Sequence, residues 1–261
     1  MLSPVHTADL FSLKGKVAIV TGGGRGIGLQ MATALGEMGA ALVLCSRKID
    51  TVEEAAATLR EKGISAMGLA CDVRLETDVE EVVRCTVAEF GSIDVLVNNA
   101  GTVWSGAPED VPLEGWQKVV DVNLTGVFLC ARTAGRVMIR QRAGRIINIA
   151  SVAAYKGAPP EIMDTISYQA TKGAVVSFTR DLAVKWARHG INVNAIAPGW
   201  FPSDMTATLL ASHREALEAR TPCGRLGGPN DLKGAVVYLA SAASSWVTGQ
   251  TLVVDGGEAA W

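Results

Sequence analysis

The sequence predicts an α/β protein: a single doubly wound parallel sheet with helices on both faces, formed by the whole chain, 1–261, as one domain. Three observations carry this. Short runs rich in β-branched and aliphatic residues recur ("KVAIV", "ALVLCS", "AMGLACDV", "IDVLVNNA", "RIINIAS", "INVNAIAPG", "TLVVDGG"). Stretches of helical length separate most of them, and strand followed by helix, repeated, is the pattern of βαβ units. Apolar residues make up 49% of the chain and glycines number 28, which suits a sheet buried on both faces.

Taken in order, "KVAIV" runs into the glycine cluster "TGGGRGIG" and then the helix "IGLQMATALGEMG". "ALVLCS" is followed by "TVEEAAATLREKG", and "AMGLACDV" by "LETDVEEVVRCTVAEFG". Glycines close these helices at Gly39, Gly63 and Gly91, and Gly190 closes "VSFTRDLAVKWARHG", as a left-handed helix stop requires. No repeat, low-complexity tract or linker interrupts the alternation. The least regular stretch, from Trp200 to Pro229, follows the sixth strand. It is placed to cover a ligand, because open α/β sheets bind beyond the carboxyl ends of their strands.

Charge and cysteine usage exclude several classes. A net charge of −2 with no dense Lys/Arg run offers no field for a nucleic-acid backbone. The five cysteines are odd in number and never spaced as C-x-x-C, so neither a disulfide framework nor a metal site is indicated. The opening "MLSPVHTADLFSLKGKVAIV" lacks the basic start and apolar core of a signal peptide, and no apolar run approaches the ~18 residues that span a bilayer. The expectation is a soluble, cytoplasmic protein with no membrane or nucleic-acid partner.

A glycine cluster at a strand-to-helix turn lets the backbone approach a pyrophosphate, whose charge meets the free N–H groups of the helix. Here the spacing is G-x-x-x-G-x-G through Gly22, Gly26 and Gly28, with Gly24, Arg25 and Ile27 in the same turn. It differs from the commoner G-x-G-x-x-G, but the flanking strand and helix make it a dinucleotide site of Rossmann type. At the end of the second strand an acidic residue would bind the ribose 2′-hydroxyl of NAD and repel the 2′-phosphate of NADP. Ser46, Arg47 and Lys48 stand there instead. Arg47 suits a phosphate, Ser46 can donate to it, and Arg25 approaches from the other side. NADP(H) is therefore expected in preference to NAD(H). Asp72 and Val73, ending the third strand, fall where the adenine is expected.

At the other end of the cleft, "ISYQATKGAVVSFTR" sets Tyr168 and Lys172 one helical turn apart on one face. A phenol is a poor base at neutral pH unless a nearby cation favours the phenolate. With "TGGGRGIG", "NNAG" at 98–101, Ser151 and "APG" at 197–199, this pair resembles, over essentially the whole chain, a short-chain dehydrogenase/reductase. The resemblance implies hydride exchange between a nicotinamide and a ketone or secondary alcohol, with Tyr168 as acid/base and Ser151 holding the substrate oxygen. It implies that Lys172 also binds the nicotinamide ribose, and that Asn123 in "DVNLTG" interrupts a helix and links Lys172 to solvent through a water. Asn99, Ala100 and Gly101 would run along the cofactor, Pro198 and Gly199 would turn past the nicotinamide, and Ser203 would bond its carboxamide in place of the usual threonine.

The seventeen residues from Ser151 to Tyr168 are more than most of that family uses, so the segment before Tyr168 is expected to form a longer rim. Trp104, Trp200, Phe201 and Met205 are candidate substrate-lining residues. "APGWFPSDMT" and "RTPCGRLGGPNDLKGAVVYLAS" look like the branch labelled gluconate 5-dehydrogenase and also like some 3-oxoacyl thioester reductases. The substrate is accordingly a sugar acid, a 3-oxoacyl thioester or another secondary alcohol or ketone. Two other readings stand beside the enzyme: a catalytically silent NADP-binding regulator, disfavoured by the presence of Tyr168, Lys172 and Ser151, and a methyltransferase, which leaves Tyr168 and Lys172 unexplained. Family members usually form homotetramers through the helices bearing "VNLTGVFLCARTAG" and "SYQATKGAVVSFTRDLA", and that assembly is expected here.

Overall fold

The computed structural model describes residues 5–261. Seven parallel strands lie in the order β3-β2-β1-β4-β5-β6-β7: β1 (Val17–Thr21), β2 (Ala41–Ser46), β3 (Ala66–Ala70), β4 (Val95–Asn98), β5 (Gly144–Ile149), β6 (Ile191–Pro198) and β7 (Thr251–Val254). The chain moves outward from β1 to β3, then returns to pair β4 against the free side of β1. That reversal opens a crevice at the carboxyl ends of β1 and β4, the place where such sheets bind ligands.

Alternation along β1 explains the two helical layers. Ala18 and Val20 pack with α1 (Gly26–Glu37), α2 (Ile49–Glu61) and α8 (Lys233–Ala240) through Met31, Leu35, Leu59 and Val236. Ile19 points to the opposite face, where α3 (Glu76–Phe90) and α5 (Gly126–Gln141) bring Val79, Val82, Leu129 and Met138. The same face continues under α6 (Ile166–Trp186), whose Val175 and Val176 meet Ala195 and Ala197 of β6. A side chain such as Leu35, fully buried, stabilises the fold by about 1.5–3 kcal/mol relative to exposure.

Gly39, Gly63, Gly91 and Gly190 all take left-handed backbone angles at the ends of their helices, as their positions in the sequence predict. Arg142 ends α5 in the same conformation, φ 60°, without a glycine to mark it. The stretch from Trp200 to Pro229 is more regular than its sequence indicates, because thirteen of its residues form α7 (Ala207–Ala219). Leu217 is the one buried residue of that helix, so the apolar stripe that announces a packed helix is missing. Between α4 (Leu113–Val120) and α5 the chain makes a π turn, Asp121–Thr125, with Asn123 buried inside it. Among the described residues no helix is long and apolar enough to cross a membrane, and the five cysteines are free thiols.

Candidate active site

The glycine turn is assembled by contacts from β4. Asn99 donates its Nδ2 to the carbonyls of Thr21 and Gly22 at 2.9 and 3.1 Å, while the Thr21 hydroxyl accepts from the amides of Asn99 and Ala100, each at 3.0 Å. Gly22 sits at φ 63°, and a β-carbon on Gly28 would lie 2.3 Å from the Gly22 carbonyl oxygen. The first turn of α1 therefore presses directly on the loop. No side chain caps that helix, so its leading N–H groups are left for an anion.

Around the adenosine end, Ser46 turns its hydroxyl onto the Lys48 carbonyl at 3.1 Å. Arg47 is exposed and has no carboxylate partner among the described residues. Asp72 is committed to Arg74, whose Nε reaches both carboxylate oxygens at 2.9 and 3.1 Å and whose Nη2 donates at 2.5 Å. These hydrogen bonds, with Arg47 nearby, hold the Asp72 carboxyl below its usual range. Arg25 reaches across the cleft instead of toward Ser46, and pairs with Asp204 in the segment after β6. Ser203, beside it, shares hydrogen bonds with Thr206, its amide donating to the Thr206 hydroxyl at 3.0 Å.

The reacting groups gather at the other end. Ser151 caps a short turn, Val152–Ala154, and its Oγ accepts from the Ala153 amide at 3.1 Å, which leaves its own proton free to point at a substrate oxygen. Burial pushes the Tyr168 phenol above its ordinary pKa, and the neighbouring Ser151 hydroxyl opposes that rise. Lys172 is buried, lies 5.4 Å from the centre of the Tyr168 ring and donates to the Ile149 carbonyl at 2.6 Å. Desolvation lowers its ammonium to about 8. Asn123 is tied to both walls. Its side chain exchanges hydrogen bonds with the Thr102 backbone at 2.8 and 2.9 Å, and its Nδ2 donates to Thr171 Oγ1 at 3.2 Å. Thr171 in turn donates to the Tyr168 carbonyl at 3.0 Å, so the π turn braces the first turn of α6.

One cavity of 340 Å³ joins the two ends. All the residues expected to hold the cofactor line it, together with Ser151. Asn123 stands behind the wall, against Thr102 and Thr171. The sequence reading missed Thr21, which stitches β1 to β4, and Arg74, Thr102 and Lys118, which also line the cavity. Only Arg74, two residues after Asp72, carried a local signal, a cation beside the carboxylate. Of the expected substrate walls, Phe201 and Met205 line the cavity, the Phe201 ring also packing against Gly227, whereas Trp104 lies on Gly115 with the Lys118 ammonium 5.4 Å from its ring.

A family model described as enoyl-(acyl carrier protein) reductase matches residues 22–258. The 5-keto-D-gluconate 5-reductase of Escherichia coli (strain K12) is 41% identical, over 95% of this chain and 97% of its own. The chain belongs to the short-chain dehydrogenase/reductase family. It is thus an oxidoreductase. The 3-oxoacyl-[acyl-carrier-protein] reductase of Synechocystis sp. is 39% identical, over 94% of this chain and 98% of its own. Among solved structures, a gluconate 5-dehydrogenase from Burkholderia cenocepacia J2315 in complex with NADP and tartrate superposes with a TM-score of 0.93 at 40% identity, covering 98% of this chain and all of that one. Family membership also disposes of the methyltransferase reading.

Proposed function

We propose that the protein is a cytoplasmic, homotetrameric, NADP(H)-preferring reductase that interconverts a ketone and a secondary alcohol on a sugar acid, with Tyr168 as the acid/base. The convergence of Ser151, Tyr168 and Lys172 at one end of a cavity whose other end is the glycine turn and Arg47 carries this reading. It is also what disfavours a silent nucleotide-binding regulator, which has no use for a buried ammonium beside a phenol. In the cleft, Gly22, Gly24, Gly26, Ile27, Gly28 and the N-terminus of α1 would meet the pyrophosphate, Ser46 and Arg47 the 2′-phosphate, and Val73 the adenine. Asn99, Ala100, Gly101, Pro198, Gly199 and Ser203 would flank the nicotinamide half. The bound cofactor supplies or accepts a hydride.

The protein's own groups handle the proton. For reduction, the Ser151 hydroxyl donates to the carbonyl oxygen and the Tyr168 phenol delivers its proton to that oxygen. Lys172 stabilises the phenolate left behind, and Asn123 positions the helix that carries both. At neutral pH the raised phenol is protonated and the ammonium still holds most of its charge, the state that reduction needs.

The sugar-acid assignment draws on the gluconate and 5-ketogluconate relatives, and the Synechocystis relative supports a 3-oxoacyl thioester as the second reading. Following nicotinamide absorbance at ~340 nm across 5-keto-D-gluconate, a 3-oxoacyl thioester and simple ketones tests both. Turnover of none of them would refute the enzyme reading. For the cofactor, Arg47→Asp is expected to raise the KM for NADPH roughly 10- to 100-fold, the loss of one charge-assisted phosphate contact, while that for NADH falls or holds. A wild-type preference for NADH would refute it. For the assembly, Phe128 on α5 and Ile166 and Val184 on α6 are exposed apolar residues on the helices named above. Light scattering should return four times the 27.3 kDa chain mass; a monomer would contradict it.

A further inference from the structure

Glu258 is the one glutamate in the core of the described residues, 6% exposed. Its Oε1 accepts from Lys156 Nζ at 2.7 Å and from Trp200 Nε1 at 2.9 Å, while its Oε2 is buried with no hydrogen-bond partner. Lys156 Nζ also lies 3.4 Å from the Glu258 carbonyl oxygen. The three residues come from three separated segments, each leading away from the reacting groups. Lys156 follows the turn that Ser151 caps. Trp200 directly follows Pro198 and Gly199, which line the cleft. Glu258 ends the turn after β7, where Asp255 accepts from the amides of Gly257 and Ala259 at 2.9 and 2.6 Å. The Gly199 amide bonds the Val254 carbonyl at 3.0 Å, so this turn is already fastened to the cleft wall.

Stability is a poor explanation for such a group. The desolvation of a buried ion pair offsets most of its attraction, and apolar replacements of a whole pair are often neutral or stabilising. An orphaned buried oxygen adds a further cost. What a carboxylate gripping two donors from different segments does supply is a fixed spacing between them. We propose that Glu258 is a positioning residue for the substrate: it ties the rim after Ser151 to the segment after β6 through Trp200, and so fixes Trp200's neighbours Gly199 and Phe201, which line the cleft. The inference rests on the carbonyl-reductase reading and names the clamp that gives that site its shape.

The test compares Glu258→Ala and the double variant Glu258→Leu/Lys156→Met with wild type, using NADPH and 5-keto-D-gluconate or whichever ketone of the panel is turned over best. Both variants are expected to raise the ketone KM roughly tenfold or more, as a displaced wall does, with the NADPH KM unchanged. The double variant, which leaves no buried charge, is expected to melt at or above the wild-type temperature. A wild-type ketone KM in the double variant, or a parallel rise in the NADPH KM, would overturn the proposal. Tryptophan emission supplies a readout independent of turnover. Glu258→Ala should shift it to the red, and the shift should vanish in a Trp200→Phe background; a shift that persists there counts against the clamp. Absence of turnover with every ketone would sink the enzyme reading, whereas the emission experiment would still decide whether Glu258 grips Trp200.

Discussion

Tyr168→Phe is expected to lower ketone reduction by about 10²–10⁴-fold, the range of a positioned proton donor, while leaving NADPH affinity near wild type. The substitution removes one oxygen. The ring that packs 5.4 Å from Lys172 Nζ remains, and Lys172 keeps its hydrogen bond to the Ile149 carbonyl. Steady-state rates with the best ketone, beside a fluorescence titration with NADPH, separate the two effects. Wild-type turnover in this variant would place the acid elsewhere, and a matching loss of NADPH affinity would assign Tyr168 to binding. The pH dependence has a sign fixed by the same geometry. Reduction needs the neutral phenol, and burial raises its pKa, so the reductive rate should hold through neutral pH and fall in alkali. Alcohol oxidation needs the phenolate and should rise over that interval. Because the Ser151 hydroxyl opposes the upward shift, Ser151→Ala should move the oxidative limb to higher pH as well as slowing the reaction.

The cofactor end of this molecule is legible in the sequence because its requirements are local. Glycines must stand where a strand meets a helix, and a cation must stand at the next strand end; both are visible within a few residues. The reacting end is legible for the same reason, since Tyr168 and Lys172 need only one turn of helix between them. What escapes is set by long-range contacts. Thr21 meets the Asn99 amide across 78 positions and Lys156 meets Glu258 across 102, and no periodicity announces either. Arg25 shows the limit in another way. It lines the cleft from the glycine turn, and the exposed pair it also makes with Asp204, far along the chain, has no mark in the sequence. Phe201 reads as a substrate wall from its neighbours in the chain and does line the cleft, but its packing over Gly227, where a side chain would collide with the ring, is not visible in the sequence.

Lys172→Met should move activity and stability in different ways, and pH exposes the difference. The lysine is 5% exposed and desolvation lowers its ammonium from 10.5 to about 8. Below pH 8 both folded and unfolded chains carry the proton, and the folded state bears the whole cost of burying the charge, about 3 kcal/mol at 1.36 kcal/mol per pH unit. Between pH 8 and 10.5 the unfolded chain holds more protons than the folded one, so this group makes stability rise with pH. The raised Tyr168 phenol acts oppositely, but only above its unfolded value of 10. Urea denaturation at pH 7, 8, 9 and 10 should therefore show wild type gaining on Lys172→Met by up to about 3 kcal/mol, even though the variant has lost turnover. Parallel curves for the two proteins would mean that the ammonium is not desolvated in the folded state. The cost has a reason in the chemistry. A solvated lysine would do little for a phenolate screened by water, whereas a dry ammonium one helical turn away acts through a low dielectric. The instability and the catalytic effect thus have one source, the burial of the Lys172 ammonium beside the Tyr168 ring.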